Sequence, residues 1–151
     1  MSIEFRIEGL DEVNRKLQAL GNPRKARSIA RKAARQAMNV VRDAARQNAK
    51  AIDDPKTAEK IWKNIKLSGG KSRNPDVVVM RVGVDGGASF TNRNPPKISG
   101  GDTRHWRWIE FGSVNNIAVP FMRPALANNL PAVTDKFVEV FKAEIDKELA
   151  L

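Results

Sequence analysis

The sequence predicts an α+β domain: an antiparallel sheet of about four strands packed against a long basic helix and a C-terminal helix, with a long central loop. Three observations carry that expectation. A stretch free of glycine and proline runs from Arg24 to about Asn48 and repeats its apolar positions at helical spacing. Short β-branched or alternating runs, bounded by turn residues, cluster in the middle of the chain. A second apolar stripe at helical spacing closes the sequence. With 151 residues, the whole chain, 1–151, fits one domain.

The elements follow in order. Ile3, Phe5 and Ile7 alternate with Glu4 and Arg6, the pattern of a half-buried strand stopped at Gly9. Leu10, Val13, Leu17 and Leu20 form one stripe of a short helix closed by Gly21-Asn22. Pro23 suits the first turn of the long helix. One face of that helix holds Ile29, Ala30, Ala33, Ala37, Val40, Val41 and Ala44; it is mostly alanine, so another backbone can approach closely.

Asp53-Asp54-Pro55 ends the long helix, and Thr57 is placed to cap a short helical turn over Ala58 to Trp62. Ile65 and Leu67 alternate with Lys66 and read as a strand ending in a Gly69-Gly70 turn. Val77 to Val84 is the strongest strand. The Gly83-Val84-Asp85-Gly86-Gly87 run after it reads as a hairpin turn, since it lacks the Gly-Lys-Ser/Thr ending of a phosphate loop.

Asp85 to Thr103 is the longest irregular stretch, and loops of that length in small domains are usually functional or disordered. Phe90, Arg93 and Lys97 are its candidate assembly residues. Arg104 to Phe111 reads as the last strand, with Trp106 and Trp108 on one face, one for the core and the other for a partial interface. Pro120 and Pro124 frame Phe121-Met122-Arg123. The final helix then carries Leu126, Leu130, Val133, Phe137, Val140, Phe141, Ile145 and Leu149 on one side, with its first turn separated or kinked at Pro131.

Composition narrows the function. The chain has no cysteine, which removes disulfides, thiolate metal sites and cysteine nucleophiles together. His105 is the one imidazole and has no paired nucleophile in the pattern. Asp53-Asp54 reads as helix termination rather than a metal site, and Glu110 as the partner of Arg107 or Arg123. The first residues lack the apolar core of a signal peptide, and no apolar run reaches the ~20 residues of a membrane span, so a soluble protein, intracellular when made, is expected. Apolar residues are 41% of the chain and aromatics only 6%, so a partner subunit is expected to cover part of the surface.

The net charge of +10 is concentrated. Between Asn22 and Lys50 nine lysines and arginines face a single acid, Asp43. Arg24, Arg27, Arg31, Arg35, Arg42 and Arg46 fall within an arc of about 100° opposite the alanine face. Such a stripe suits contact with DNA phosphates or with an acidic protein surface, and it reads backbone charge rather than base sequence. A solvated helix face is the plainer alternative.

Several of these segments, taken in order, resemble the small tail-component family of lambdoid long-tailed bacteriophages, the tail-completion or head–tail joining proteins of gene-product-ten type. The resemblance rests on Ile7-Glu8-Gly9-Leu10-Asp11-Glu12, on the basic alanine-rich helix from Arg24 to Lys50, and above all on two motifs. These are Trp108-Ile109-Glu110-Phe111-Gly112 and Pro120-Phe121-Met122-Arg123-Pro124-Ala125-Leu126. The family's Thr-Gly-x-Leu turn is represented by Thr57-Ala58-Glu59-Lys60, without the glycine. The resemblance implies a non-enzymatic virion protein without cofactors, metal or small-molecule substrate, made in the host cytoplasm and resident in the tail or neck. It further implies tail and neck proteins as partners, a homo-oligomeric and possibly hexameric ring around the DNA path, and a loop from Asp85 to Thr103 that orders on assembly. A basic accessory protein binding nucleic acid without sequence preference is the alternative.

Overall fold

A computed structural model describes residues 10–150. The element order is α1 (Leu10–Leu20), α2 (Pro23–Ile52), α3 (Ile61–Asn64), β1 (Ile65–Gly70), β2 (Val79–Val84), α4 (Trp106–Phe111), α5 (Arg123–Ala127) and α6 (Leu130–Leu149). The strand expected over Ile3 to Ile7 lies outside the described residues. The class is α+β, but the described sheet has two strands rather than about four: β1 pairs antiparallel with β2, from Ile65 opposite Val84 to Gly70 opposite Val79.

The long helix α2 begins as its sequence indicates. The Asn22 side-chain oxygen accepts from the backbone N–H groups of Arg24 and Lys25, at 3.1 and 3.3 Å, and Pro23 occupies the first turn. Its buried residues are Ile29, Ala33, Ala37, Val41, Ala45 and Ala49, one in every four. A four-residue step overshoots a full turn by roughly 40°, so the buried line winds about the helix along its length. The fixed face expected from the sequence therefore holds only at the start. Ala30, Val40 and Ala44 are half-buried, while Ala45 and Ala49 are buried.

This winding lets one helix serve two cores. Its first half packs Ile29 and Ala33 against Val140, Phe141 and Ile145 of α6, with Leu17 and Leu20 of α1 alongside. Its second half packs Val41, Ala45 and Ala49 against Ile61, Ile65, Phe121 and Ala125. The alanines allow both approaches: a larger side chain at these fully buried positions would hold the opposing elements apart.

Further expectations meet corrections. The short helix starts at Ile61 rather than Ala58, and its first N–H groups bond the Asp53 carboxylate instead of Thr57, from Ile61 at 3.0 Å and Trp62 at 3.3 Å. Asp53 also donates its own N–H to Ala49, so the residue that ends α2 starts α3. β1 continues through Gly69 and Gly70 rather than turning there, and β2 begins at Val79 rather than Val77. No hairpin follows Val84 in the described residues, because β2 runs directly into the long loop.

The largest correction is α4. Arg104 to Phe111 is not a strand; Trp106 to Phe111 is helical. The alternation of Trp106, Arg107 and Trp108 suggested a period of two, but Trp106 and Ile109, three apart, are the pair that packs on the core. Trp108 turns outward and is 49% exposed. The break before the last helix falls where Pro131 places it, with α5 and α6 as separate helices.

Candidate assembly and polyanion-binding surfaces

Glu110 is the organising residue of the described C-terminal half. The helical form of α4 drives its side chain inward until it is 1% exposed. There one carboxylate oxygen accepts from the backbone N–H groups of Phe121 at 2.7 Å and Met122 at 3.0 Å. The other accepts from Arg123 N–H at 2.9 Å and from Arg123 Nε at 3.2 Å. Arg123 Nη2 returns to the Glu110 carbonyl at 2.6 Å. Burial pushes the Glu110 carboxyl upward, but the backbone N–H groups of Met122, Arg123 and Phe121, with the Arg123 guanidinium, outweigh it and hold the group below its ordinary range.

The two sequence motifs are thus one clip. Glu110 binds the N–H groups that lead into α5, Phe121 fills the core at 1% exposure, and Pro124 occupies the first turn of that helix. Trp106 meets the Phe121 ring edge-on at 6.5 Å. Gly112 permits the reversal between the motifs: its φ is +77°, and a Cβ there would lie 3.0 Å from the Ala118 nitrogen. Val119 N–H bonds the Ile109 carbonyl at 2.8 Å and closes the loop, leaving Pro120 exposed at its end.

That loop is uncharged and open to solvent, and it exposes apolar side chains. Val114 is 103% and Ile117 92% exposed, and Phe111 and Val119 beside them are 58% and 48% exposed. Arg123 stacks its guanidinium on the outer face of Phe111, 4.9 Å from the ring centre. The sequence carries a signal for this surface that residue-by-residue reading missed. From Phe111 to Met122 there is no charged side chain, in a chain that is 29% charged.

The long loop is fastened by contacts within its own chain. Arg104, only 6% exposed, grips the Asp102 carboxylate with Nε and Nη2, both at 2.8 Å, and donates Nη1 to the Asn92 carbonyl at 2.6 Å. Its guanidinium also lies 4.5 Å from the centre of the Phe90 ring, and Phe90 stacks on Trp108 at 5.5 Å. Trp106 Nε1 donates to the Gly87 carbonyl at 3.1 Å.

The far end of the loop is held by Asn64, whose amide donates to the Thr103 hydroxyl at 2.6 Å and accepts from Gly100 N–H at 2.7 Å. A Cβ on Gly100 would overlap the Lys60 carbonyl and this same Asn64 oxygen. Of the three candidate loop residues, Phe90 is half-covered in the aromatic stack, while Arg93 and Lys97 are exposed. Asn64 and Arg104 had no motif to mark them; both are polar hubs created by the approach of distant segments.

The six arginines of α2 separate into two groups. Arg24, Arg31 and Arg35 are exposed and pair with no carboxylate among the described residues. Arg27 bends to the Pro23 carbonyl at 3.3 Å, and Arg42 pairs with Asp43 at 3.0 Å. Arg46 faces the sheet, because the core line has wound round to it. Its Nε and Nη2 donate to the Ile65 carbonyl at 3.1 and 2.8 Å. Two of the three lysines of the same helix are neutralised by α6, Lys25 by Glu148 and Lys32 by Glu144 at 2.9 Å, while Lys50 lies over the Trp62 ring at 4.4 Å. The exposed arginines without a carboxylate partner among the described residues, Arg24, Arg31 and Arg35, therefore lie on the first half of α2.

His105 stands at the N-terminal end of α4 without capping it. Among the described residues no group of three or more His, Asp or Glu is placed to hold a metal ion, and no helix is long and apolar enough to cross a membrane.

A family model described as a tail component, bacteriophage HK97-gp10, matches residues 11–112. The chain belongs to the HK97-gp10-like family of phage tail components. The HK97-gp10-like match takes in α2, the sheet, the long loop and all of α4, and ends at Gly112. Glu110, inside the matched region, bonds Phe121 to Arg123 beyond it, so the clip joins the family region to the helices that follow. No curated protein and no solved structure matches the chain. The family is a structural one, and its members' place is the virion.

Proposed function

We propose that this tail component completes the head-proximal end of a phage tail and joins it to the capsid neck, as a homo-oligomeric ring around the DNA path. It works with other tail and neck proteins and catalyses no reaction. Family membership supports the tail assignment. The feature that favours a place on the DNA path is the set of Arg24, Arg31 and Arg35, unpaired with any carboxylate among the described residues and carried on a rigid helix. Facing a lumen, that row would accompany passing DNA through phosphate contacts without reading sequence.

The same arginines favour a second reading, an accessory protein that binds nucleic acid by itself without sequence preference. Electron microscopy separates the two. Particles assembled without the chain should accumulate unjoined heads and tails, and normal virions in that experiment would overturn the main reading. The second reading requires the isolated protein to bind DNA at low salt, with affinity falling steeply as salt rises.

A further inference from the structure

We infer that Lys50 and Lys63, gathered round Trp62, form a second phosphate-binding site for duplex DNA, at the opposite end of α2 from Arg24, Arg31 and Arg35. The inference rests on the DNA-path reading above and adds to it the residues of a second contact and the lie of the helix along the duplex.

Lys50, in the last turn of α2, holds its ammonium group 4.4 Å from the centre of the Trp62 ring, and Lys63 of α3 holds its own 5.7 Å from the same centre. Both lysines are exposed, and neither pairs with a carboxylate among the described residues. The helix dipole accounts for a lysine at the end of α2. It does not account for a second ammonium drawn to the same indole. The ring attracts each cation but cancels neither charge.

The acids nearby are committed elsewhere. The Asp53 carboxylate accepts from the Ile61 and Trp62 N–H groups, Asp54 accepts from Lys56 N–H, and the Glu59 side chain lies against Gly101. Two ammonium groups, each with three N–H donors, thus face solvent without a counter-charge, which is the make-up of an oxyanion site.

Spacing identifies the anion as a phosphate backbone. On the continuous helix α2, Arg24 and Lys50 stand roughly 39 Å apart along the axis, and Arg35 and Lys50 roughly 22 Å apart. At about 100° per residue, Arg24, Arg31, Arg35 and Lys50 fall within one arc of about 100°. No cation of α2 between Arg35 and Lys50 is free, since Arg42 pairs with Asp43 and Arg46 donates to the Ile65 carbonyl. A straight helix laid along a duplex meets phosphates only where a backbone strand crosses it, and the crossings repeat with each turn of about 34–36 Å. Two cationic stations with a neutral interval between them, spread over about one turn, match that pattern. The surface of an acidic globular protein has no such repeat.

DNA length tests the pairing of the two stations. The full chain is titrated with labelled DNA hairpins whose stems hold about 6 and about 16 base pairs, roughly 20 and 54 Å long. Affinity is read by fluorescence anisotropy over a range of salt. Lys50→Gln with Lys63→Gln should lower the slope of log affinity against log salt by up to about 1.8 on the longer stem, from about 0.9 per phosphate contact. It should leave the slope on the shorter stem unaltered, because a stem shorter than the neutral interval sits on the arginines alone. Thermal unfolding should stay at the wild-type temperature. Lys50→Arg with Lys63→Arg should keep the wild-type slope on both stems, since the charge makes the contact.

An unchanged slope on the longer stem, or an equal loss on both, would overturn the inference. If Arg24, Arg31 and Arg35 prove to set the slope and the lysines do not, the second site fails and the arginine contact stands. If the wild-type chain binds neither stem at low salt, both DNA contacts fail, and the unjoined-particle experiment still decides the place of the chain in the virion.

Discussion

Single residues decide how the described chain closes on itself, and Glu110 is the clearest case. Removing its carboxylate leaves the N–H groups of Phe121, Met122 and Arg123 without an acceptor in a buried place. Glu110→Ala should cost about 3 kcal/mol, the desolvation cost of buried unpaired groups. It should lower the melting temperature by roughly 6–12 °C in a chain of this length, as read by calorimetry. Glu110 also carries a pH signature. Its folded pKa is depressed, so its stabilisation is present in full above the ordinary carboxylate value of about 4.3 and is lost as pH falls through the folded value. Urea unfolding should show the wild type losing its advantage over Glu110→Gln between neutral and acid pH, and an advantage that persists in acid would contradict this account. In sequence, Glu110 was legible as the partner of an arginine. Its larger role, accepting three backbone N–H groups, was not, because that role depends on segments brought together by the fold.

At the scale of elements, the long loop shows how irregular backbone is held. Arg104, Trp106 and Trp108 fasten it near Gly87, Phe90 and Asn92, and Asn64 fastens its end at Gly100 and Thr103. Arg104→Ala removes the central tie. Trypsin should then cut after Arg93 and Lys97 about tenfold faster, since local opening sets the rate of cleavage there. An unchanged rate would mean that the remaining ties suffice. The error over α4 belongs to this scale too. Six residues with aromatics two apart satisfy a strand period as well as a helical one. The helix prevails because it alone turns Trp106, Ile109 and Glu110 inward together. By contrast α1, α2 and α6 were legible, because long amphipathic stripes admit one period only.

The whole molecule is organised by the winding of the α2 core line. One helix joins an α1–α6 core to a sheet, α3, α5 core, and the same winding divides the arginines into an outward group and an inward one. Substituting Arg24, Arg31 and Arg35 together with alanine should reduce the slope of log affinity against log salt for duplex DNA by up to about 2.7, from about 0.9 per phosphate contact. Thermal stability should change little. Arg46→Ala should do the reverse, lowering stability through the lost Ile65 bonds while leaving the slope unaltered. Equal effects of the two substitutions on DNA affinity would show that the described face is not the contact surface.

The sequence by itself determined the long helices α1, α2 and α6, the breaks at Gly21, Asp53 and Pro131, and the concentration of charge on α2, and it carried the two motifs on which the resemblance rests, the first of which closes the family match at Gly112. These are properties of neighbours along the chain: periodicity, capping residues and composition. Only the tertiary structure decided that the sheet is two-stranded among the described residues, that the Trp108–Gly112 and Pro120–Pro124 motifs are one clip through Glu110, and that Arg46 belongs to the architecture rather than to the free arginine face. Each of these depends on which distant groups share a low-dielectric space. There an unpaired N–H or charge is costly, and the partner that satisfies it is chosen by the fold.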